Sequence, residues 1–343
     1  MSGDLRLVVV GAGRAGLVHA RNFAAGVPGA RLVALADTDP GALERGAAEL
    51  GCDRTFSNAE DAVIQDSVDA VVIASPTFTH AELATAALAA GKHVLCEKPL
   101  ASSLEEAAAV EQAVEASEGA FLMGFMRRFD RSFRAVAERL ARGDIGRPLL
   151  VRSTGRGPGL PPEWAWDVER SGGLIAEVNS HDLDTVRWLS GQEFQSAHAV
   201  GRAAKRPDLA ERFPGFVDLI VATFELSDGA LAQVDGACPA DYGYDARVEV
   251  YGTEGVLFAG DPRQGSALLV RPDGAIADPI HSWRERFDEA YRAEDVHLVA
   301  VARGEEQART SVEDGVRALE AVVAVNRSLA ERRIVALAAA VRG

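Results

Sequence analysis

Hydrophobic positions follow two regimes along the chain. Through the first third, short apolar runs lie at Leu5–Val10, Arg31–Ala36, Asp69–Ala74, His93–Cys96 and Ala120–Gly124. They alternate with longer alanine-rich stretches at LVHARNFAAG, Ala59–Gln65, Ala81–Ala90 and Leu104–Ala116. A run without a polar face predicts a strand covered on both sides. Such strands, separated by helices, predict a parallel sheet with helices on both faces. From about Gly124 the pattern changes. A helix at Ser132–Arg142 and a strand at Pro148–Thr154 lead into the loop GRGPGLPPEWAWD and a helix at Gly172–Leu189. Strand-like segments follow at Phe194–Gly201, Val217–Glu225, Ala230–Gly236 and Arg247–Tyr251, with Ser227-Asp228-Gly229 as a hairpin turn. Helices at Trp283–Arg303 and Val312–Glu331 close the chain. The reading is an α/β protein of two domains, 1–123 and 124–343, the second a mixed sheet with flanking helices. An exposed sheet face there needs covering, which predicts a homo-oligomer, a dimer or tetramer, formed through that sheet.

The first strand runs into GAGRAG, residues Gly11 to Gly16, and then a helix. Glycine is common, and GxGxxG alone says little. Here a strand precedes it, a helix follows, and Asp37 ends the second strand 21 positions beyond Gly16. Gly11 permits the tight turn, Gly13 lets a pyrophosphate approach the backbone, and Gly16 allows close helix–strand packing. Arg14 and Ala15 complete a helix N-terminus that offers N–H donors to phosphate. Asp37 is expected to accept hydrogen bonds from ribose hydroxyls and to repel a 2′-phosphate, which favours NAD over NADP. The segment ASPTFTH, Ala74–His80, sits at the carboxyl end of another strand, where ligands of such sheets bind, so Ser75, Pro76 and Thr77 are expected to line the nicotinamide half. His80 is read either as part of that lining or as a helix-terminal residue held by backbone.

Composition sharpens one residue. Lysine and arginine total 36, yet only Lys92, Lys98 and Lys205 are lysine. Lys98 stands between Glu97 and Pro99 at the carboxyl end of the run HVLC. An ammonium donates to a single point and its pKa responds to its surroundings, unlike guanidinium; a plain surface charge in this chain is ordinarily arginine. Lys98 and Glu97 are therefore candidates for the site, against a simple turn-stabilising pair. The length of 343 residues suits two domains. The net charge of −15 disfavours nucleic acid or an anionic membrane as partner. No run of eighteen apolar residues predicts a membrane helix, and MSGDLRLVVVGAG lacks the layout of a signal peptide. Cys52, Cys96 and Cys238 have neither disulfide nor zinc spacing, and no metal site is expected; a reducing cytoplasm suits them.

In the Gly172–Leu189 stretch, Glu177 and His181 lie four apart, so one helix would put both on the same face, with Asp184 extending the stripe. Among Leu174, Ile175, Val178, Leu183 and Val186, ionisable groups are costly to bury without use or pairing; a solvent-facing Glu–His pair is the plainer alternative.

Taken together, GAGRAG with Asp37, ASPTFTH and CEKPLA resemble the Gfo/Idh/MocA oxidoreductases. The resemblance implies an N-terminal Rossmann NAD-binding domain and a C-terminal α+β domain with an open-faced, mostly antiparallel sheet. GFMRRFDRSF (Gly124–Phe133) is similar to the GFNRRFD of the inositol 2-dehydrogenase branch, and SGGLIAEVNSHDLDTVRWL (Ser171–Leu189) to its glycine-pair helix ending in His-Asp. It covers nearly the whole chain. The implied activity is NAD-dependent oxidation of a secondary hydroxyl on a cyclic polyol or sugar, with His181 as base, Lys98 on the reacting oxygen and Glu177 orienting His181 or relaying its proton. Arg127, Ser180 and Trp164 are implied in the substrate pocket, although Trp164 and Trp166 read equally as loop anchors. The chain departs from the branch where Glu177 replaces aspartate, Met126 replaces asparagine, Asn179 and Ser180 replace other neighbours, and STGRGP replaces SRDP. These departures fall in the substrate pocket and leave the cofactor motifs intact. Two other classes stay open: an NAD-dependent glycosidase working by transient oxidation and elimination, and a non-catalytic dinucleotide-binding regulator, which has no need of Lys98, Glu177 and His181 together.

Overall fold

A computed structural model describes residues 3–263, 269–271 and 274–337. The chain forms two compact units, one of residues up to Phe129 with Asp288–Arg317, the other of Asp130–Phe287 with the chain from Ala318 onward.

In the first unit the elements run β1 (Leu5–Val10), α1 (Gly16–Ala24), β2 (Ala30–Ala36), α2 (Pro40–Leu50), β3 (Thr55–Phe56), α3 (Ala59–Val63), β4 (Ala70–Ile73), α4 (His80–Ala89), β5 (His93–Glu97), α5 (Leu104–Ala116) and β6 (Phe121–Gly124). The strands form one parallel sheet in the order β3-β2-β1-β4-β5-β6, the dinucleotide-binding topology expected from the repeated strand–helix pattern. Leu7, Val9, Val72, Leu95 and Leu122 fill one core with Phe23 of α1 and with Leu298 and Val299 from far along the chain. The pattern of apolar positions does not mark α2, because Gly41 and Gly46 dilute its helical signal. Its start signal is plain in retrospect: Asp39 caps Gly41 and Ala42, and Pro40 occupies the first turn. At Gly46 an added Cβ would press on Leu35, so the glycine serves packing against the sheet.

The second unit contains α6 (Arg131–Ala141), β7 (Pro148–Arg156), α7 (Val168–Ser171), α8 (Gly173–Glu177), α9 (Ser180–Ser190), β8 (Phe194–Arg202), α10 (Pro207–Arg212), β9 (Leu219–Leu226), β10 (Leu231–Ala237), β11 (Asp245–Gly252), β12 (Val256–Ala259) and the short pair β13 (Leu269–Arg271) and β14 (Gly274–Ile276). Helix α11 (Trp283–Ala302), which departs from helical geometry at Phe287 on the boundary between units, precedes α12 (Val312–Glu331) and β15 (Val335–Ala336). Seven strands form the sheet β12-β11-β7-β10-β9-β8-β15, antiparallel throughout except β7 with β10. The hairpin at Ser227–Gly229 joins β9 and β10 as its turn residues predict. β9 alternates strictly, with Ile220, Ala222, Phe224 and Leu226 buried and Leu219, Val221, Thr223 and Glu225 exposed. One face is thus a core and the other open, and the open face carries Val200, Leu231, Tyr251 and Phe258, the last 67% exposed. Among the described residues no helix is long and apolar enough to cross a membrane.

One element departs from its sequence reading. The single helix expected over Gly172–Leu189 is two, α8 and α9, broken at Val178 and Asn179. The Ser180 hydroxyl donates to the Ala176 carbonyl, the acceptor a continuing helix would give to a backbone N–H. Asn179 meanwhile turns its amide onto Asp182, Gly155 and Asp235. Glu177 is therefore the last residue of one helix and His181 the second of the next, and the uninterrupted stripe of Glu177, His181 and Asp184 on one helix does not form.

Candidate active site

The nucleotide side is a product of backbone geometry. Gly11 has φ +102°, and a Cβ there would lie 2.6 Å from the Ala74 carbonyl oxygen. At Gly16 a Cβ would run into the Gly11 carbonyl, so glycine is needed for α1 to close on the turn. Gly13 is different: it is exposed and nothing lies within 4 Å of where its Cβ would be. That open side, beside exposed Arg14 and half-buried Ala15 at the start of α1, is the approach a pyrophosphate requires. Asp37, half-buried at the end of β2, is fixed toward the same turn: Oδ2 accepts from Ala12 N–H at 2.6 Å and Oδ1 from Asp39 N–H at 2.8 Å. Each oxygen keeps a second lone pair for a ribose hydroxyl. The residues present fit a dinucleotide.

The two further loops at this edge of the sheet are tied together. Ser75 and Thr79 hydroxyls lie 2.6 Å apart, and Thr79 donates to the Pro76 carbonyl at 2.8 Å. His80 is 1% exposed, with Nε2 2.8 Å from the Ser75 carbonyl and Nδ1 2.7 Å from the Pro99 carbonyl. Burial holds its pKa below the ordinary histidine value, against the pull of those two carbonyls. His80 therefore braces the 75–79 segment against the turn that carries Lys98, the backbone-held alternative of its sequence reading. Lys98 is half-buried just past β5, and its peptide bond to Pro99 is cis. Lys92 donates to the Gln65 carbonyl and Lys205 to Asp241. Glu97 is 4% exposed, with Oε2 accepting from Lys98 N–H at 3.1 Å and Oε1 3.2 Å from His19 Nε2. Arg127 is 1% exposed in a tight turn after β6.

In the second unit, buried His181 sits in the first turn of α9. That turn rests on a pair of glycines. Gly155 of β7 and Gly236 of β10 are register partners, and a Cβ on either would collide with Asp182 or Asn179 respectively. The buried Asp182 carboxylate accepts from Ser153 Oγ at 2.6 Å and from Asn179 Nδ2 at 2.9 Å. Three polar side chains thus lock α9 to the middle of the sheet and set the direction from which His181 leaves it. Thr185 donates to the His181 carbonyl at 2.6 Å. Glu177 is half-buried, Ser180 and Asp184 are buried, and the Ser180 hydroxyl is engaged by Ala176. Trp166 donates to the Pro161 carbonyl at 3.0 Å and meets Phe213 edge to face, which makes it an anchor of its own loop; Trp164 lies in the same turn.

Sequence reasoning singled out neither His19 nor Asp295 behind Glu97, nor Asp182 and Ser153 beneath His181, as parts of a working site; Asn179 it placed in the substrate pocket, not in this support. His19 had a signal, an imidazole on the helix that follows the glycine turn. Asp295 had none, because its partner is 276 residues away.

A glycine turn open at Gly13, an acidic residue fixed at the end of β2 and a lysine at the end of β5 define an NAD-dependent oxidoreductase. Residues 5–125 match the oxidoreductase family with NAD-binding Rossmann fold, and 133–258 the GFO/IDH/MocA C-terminal domain. The chain belongs to the Gfo/Idh/MocA family and is an NAD-dependent dehydrogenase. It is 37% identical to inositol 2-dehydrogenase of Rhizobium meliloti, over 97% of this chain and 99% of that protein. To scyllo-inositol 2-dehydrogenase (NAD(+)) of Bacillus subtilis it is 35% identical, over 88% and 87%. Scyllo-inositol dehydrogenase from Lactobacillus casei, solved with NAD(H) and scyllo-inositol, superposes with a TM-score of 0.91 at 30% identity, covering 97% of this chain and 99% of that one.

Proposed function

We propose that the chain oxidises a secondary hydroxyl of a cyclic polyol, an inositol or a related sugar, to the ketone. Bound NAD supplies the acceptor for the two electrons and the hydrogen that leave carbon. His181 takes the hydroxyl proton, a task suited to imidazole because its ordinary pKa lies near neutrality. The Lys98 ammonium donates to the reacting oxygen and stabilises the charge that grows there. Glu177 orients His181 or receives its proton. Arg127, Ser180 and Trp164 shape the polyol pocket. Gly11, Gly13, Arg14, Ala15 and Gly16 hold the pyrophosphate, Asp37 the ribose, and Ser75, Pro76 and Thr77 the nicotinamide half, with His80 and Glu97 bracing the last segment and Lys98.

The observation that carries this reading is Lys98, a half-buried cation at the carboxyl edge of the sheet that also carries the glycine turn. The extensive similarity to inositol dehydrogenases supports the choice of polyol. The test is a screen of inositols, pyranoses and glycosides with NAD, followed at the absorbance of NADH. Reduction of NAD by an inositol supports the reading; release of an aglycone without net NADH overturns it in favour of a glycosidase.

The open face of the second unit's sheet supports a second inference, that copies of the chain associate through it, as a dimer or tetramer. Light scattering behind a sizing column should give a multiple of 36.3 kDa, and Leu231→Asp with Phe258→Asp should reduce it to one copy. A monomeric wild type removes this inference.

A further inference from the structure

Behind Lys98 a chain of buried ionic contacts runs inside the first unit. Asp295 Oδ1 lies 2.6 Å from His19 Nδ1, and Asp295 Oδ2 accepts from Asn22 Nδ2 at 2.7 Å. His19 Nε2 reaches Glu97 Oε1 at 3.2 Å, and the other Glu97 oxygen accepts the Lys98 N–H at 3.1 Å. Exposure is 0% for His19 and Asp295 and 4% for Glu97, and Tyr291 closes the imidazole off edge to face at 5.3 Å. Burial alone would discharge His19, but the Asp295 and Glu97 carboxylates outweigh it and hold the imidazole charged well above its ordinary range.

We propose that Asp295 and His19 are positioning residues for Lys98, acting through Glu97. The proposal deepens the reading of Lys98 given above and rests on it. Buried ion pairs add little net stability compared with well-packed apolar groups of the same volume, so their gain here is orientation. Each atom of the chain has one task. Asp295 fixes the ring and its charge, the ring fixes the rotation of the Glu97 carboxylate, and the carboxylate fixes the backbone from which the Lys98 side chain departs. The strand end is thereby referenced to α1, the helix on which the pyrophosphate rests. His19, Glu97 and Glu294 also present three ligating atoms within 4.8 Å of one another, a donor set a cation would accept. The 3.2 Å separation of Nε2 and Oε1 is a hydrogen-bond distance, and the charged ring takes the place of a cation.

The test uses the full chain, NAD and the polyol found by the screen. His19→Gln and Asp295→Asn should lower kcat by roughly 10²-fold, the scale of an ångström-level misplacement, with KM for NAD changed less than threefold. In a Lys98→Ala background neither substitution should lower kcat further, because both act through the same residue. If Lys98→Ala alone keeps the wild-type rate, the assignment of Lys98 fails and this proposal with it. Loss of turnover in Lys98→Ala beside wild-type kcat in both His19→Gln and Asp295→Asn overturns the proposal alone. So does additive loss in the double variants, or a stoichiometric metal in the purified protein whose removal abolishes turnover. Should His19→Gln fail to fold, Asp295→Asn, nearly isosteric, carries the same comparison.

Discussion

The two halves of this enzyme position chemistry by different means. In the first unit the cofactor side is made by backbone: Gly11 and Gly16, where a Cβ would clash, the open approach at Gly13, and the end of one strand. In the second, the direction of His181 is set by side chains, Asn179, Asp182 and Ser153, resting on two adjacent glycines of the sheet. Backbone solutions restrict residue type at fixed spacings and tolerate change around them. Side-chain solutions can be reached with many residue sets, which is how Glu177, Asn179 and Ser180 differ from the inositol dehydrogenase pattern while the glycine turn does not.

The difference is broken most sharply at His181. His181→Ala should lose roughly 10²–10⁴-fold in kcat/KM for the polyol, the range for removing a general base. Isothermal titration should still register NAD, since the stretch matching the NAD-binding Rossmann fold lies in the first unit. An equal loss of NAD affinity would mean that the two halves do not divide the work this way. Lys98→Arg comes next. It keeps the charge, but the guanidinium fork cannot place one donor where an ammonium does, and turnover should fall roughly 10²–10³-fold, as when an oxyanion donor is lost. Near-normal turnover would return Lys98 to a structural role.

How much of this was legible follows from the same division. The parallel sheet, the hairpin at Ser227–Gly229 and the bounds of α5 and α12 follow from apolar patterning and turn residues, which are local. The break between α8 and α9 does not. An apolar period running from Leu174 to Leu189 reads as one helix, and only the sheet beneath supplies the carbonyls and carboxylate that draw Asn179 out of it. Glu97 was legible as a site residue and its partner Asp295 was not, because nothing local links positions so far apart in sequence.

A smaller effect isolates the platform under His181. In Gly236→Ala the new methyl meets the Asn179 amide, which its three hydrogen bonds hold in place. Overpacking of this kind costs about 1–3 kcal/mol. Thermal denaturation should show that loss, and kcat should fall while the dissociation constant for NAD stays constant. On the cofactor side, Asp37→Ser removes the carboxylate proposed to repel a 2′-phosphate. The ratio of kcat/KM for NAD to that for NADP should drop by roughly tenfold, the step given by about 1.4 kcal/mol of relieved repulsion. A wild type that prefers NADP would refute the role of Asp37 outright.

The smallest expected effect concerns pH and the His19 chain. The groups facing the imidazole are Glu97, Asp295 and, within 4.8 Å, Glu294, with the uncharged Tyr291 ring at its edge. Its pKa is raised in the folded protein, so the unfolded chain gives up this proton first as pH rises past about 6.5. The contribution is therefore complete below that pH, declines above it and vanishes once pH passes the folded value. Between pH 6.5 and 7.5 the linkage amounts to at most about 1 kcal/mol. Urea denaturation of wild type across this interval should lose that much more stability than His19→Gln, which has no proton to lose there. Parallel pH dependences in the two proteins would mean that the ring is uncharged in the fold, and the Glu97 carboxylate would then be held by an ordinary hydrogen bond.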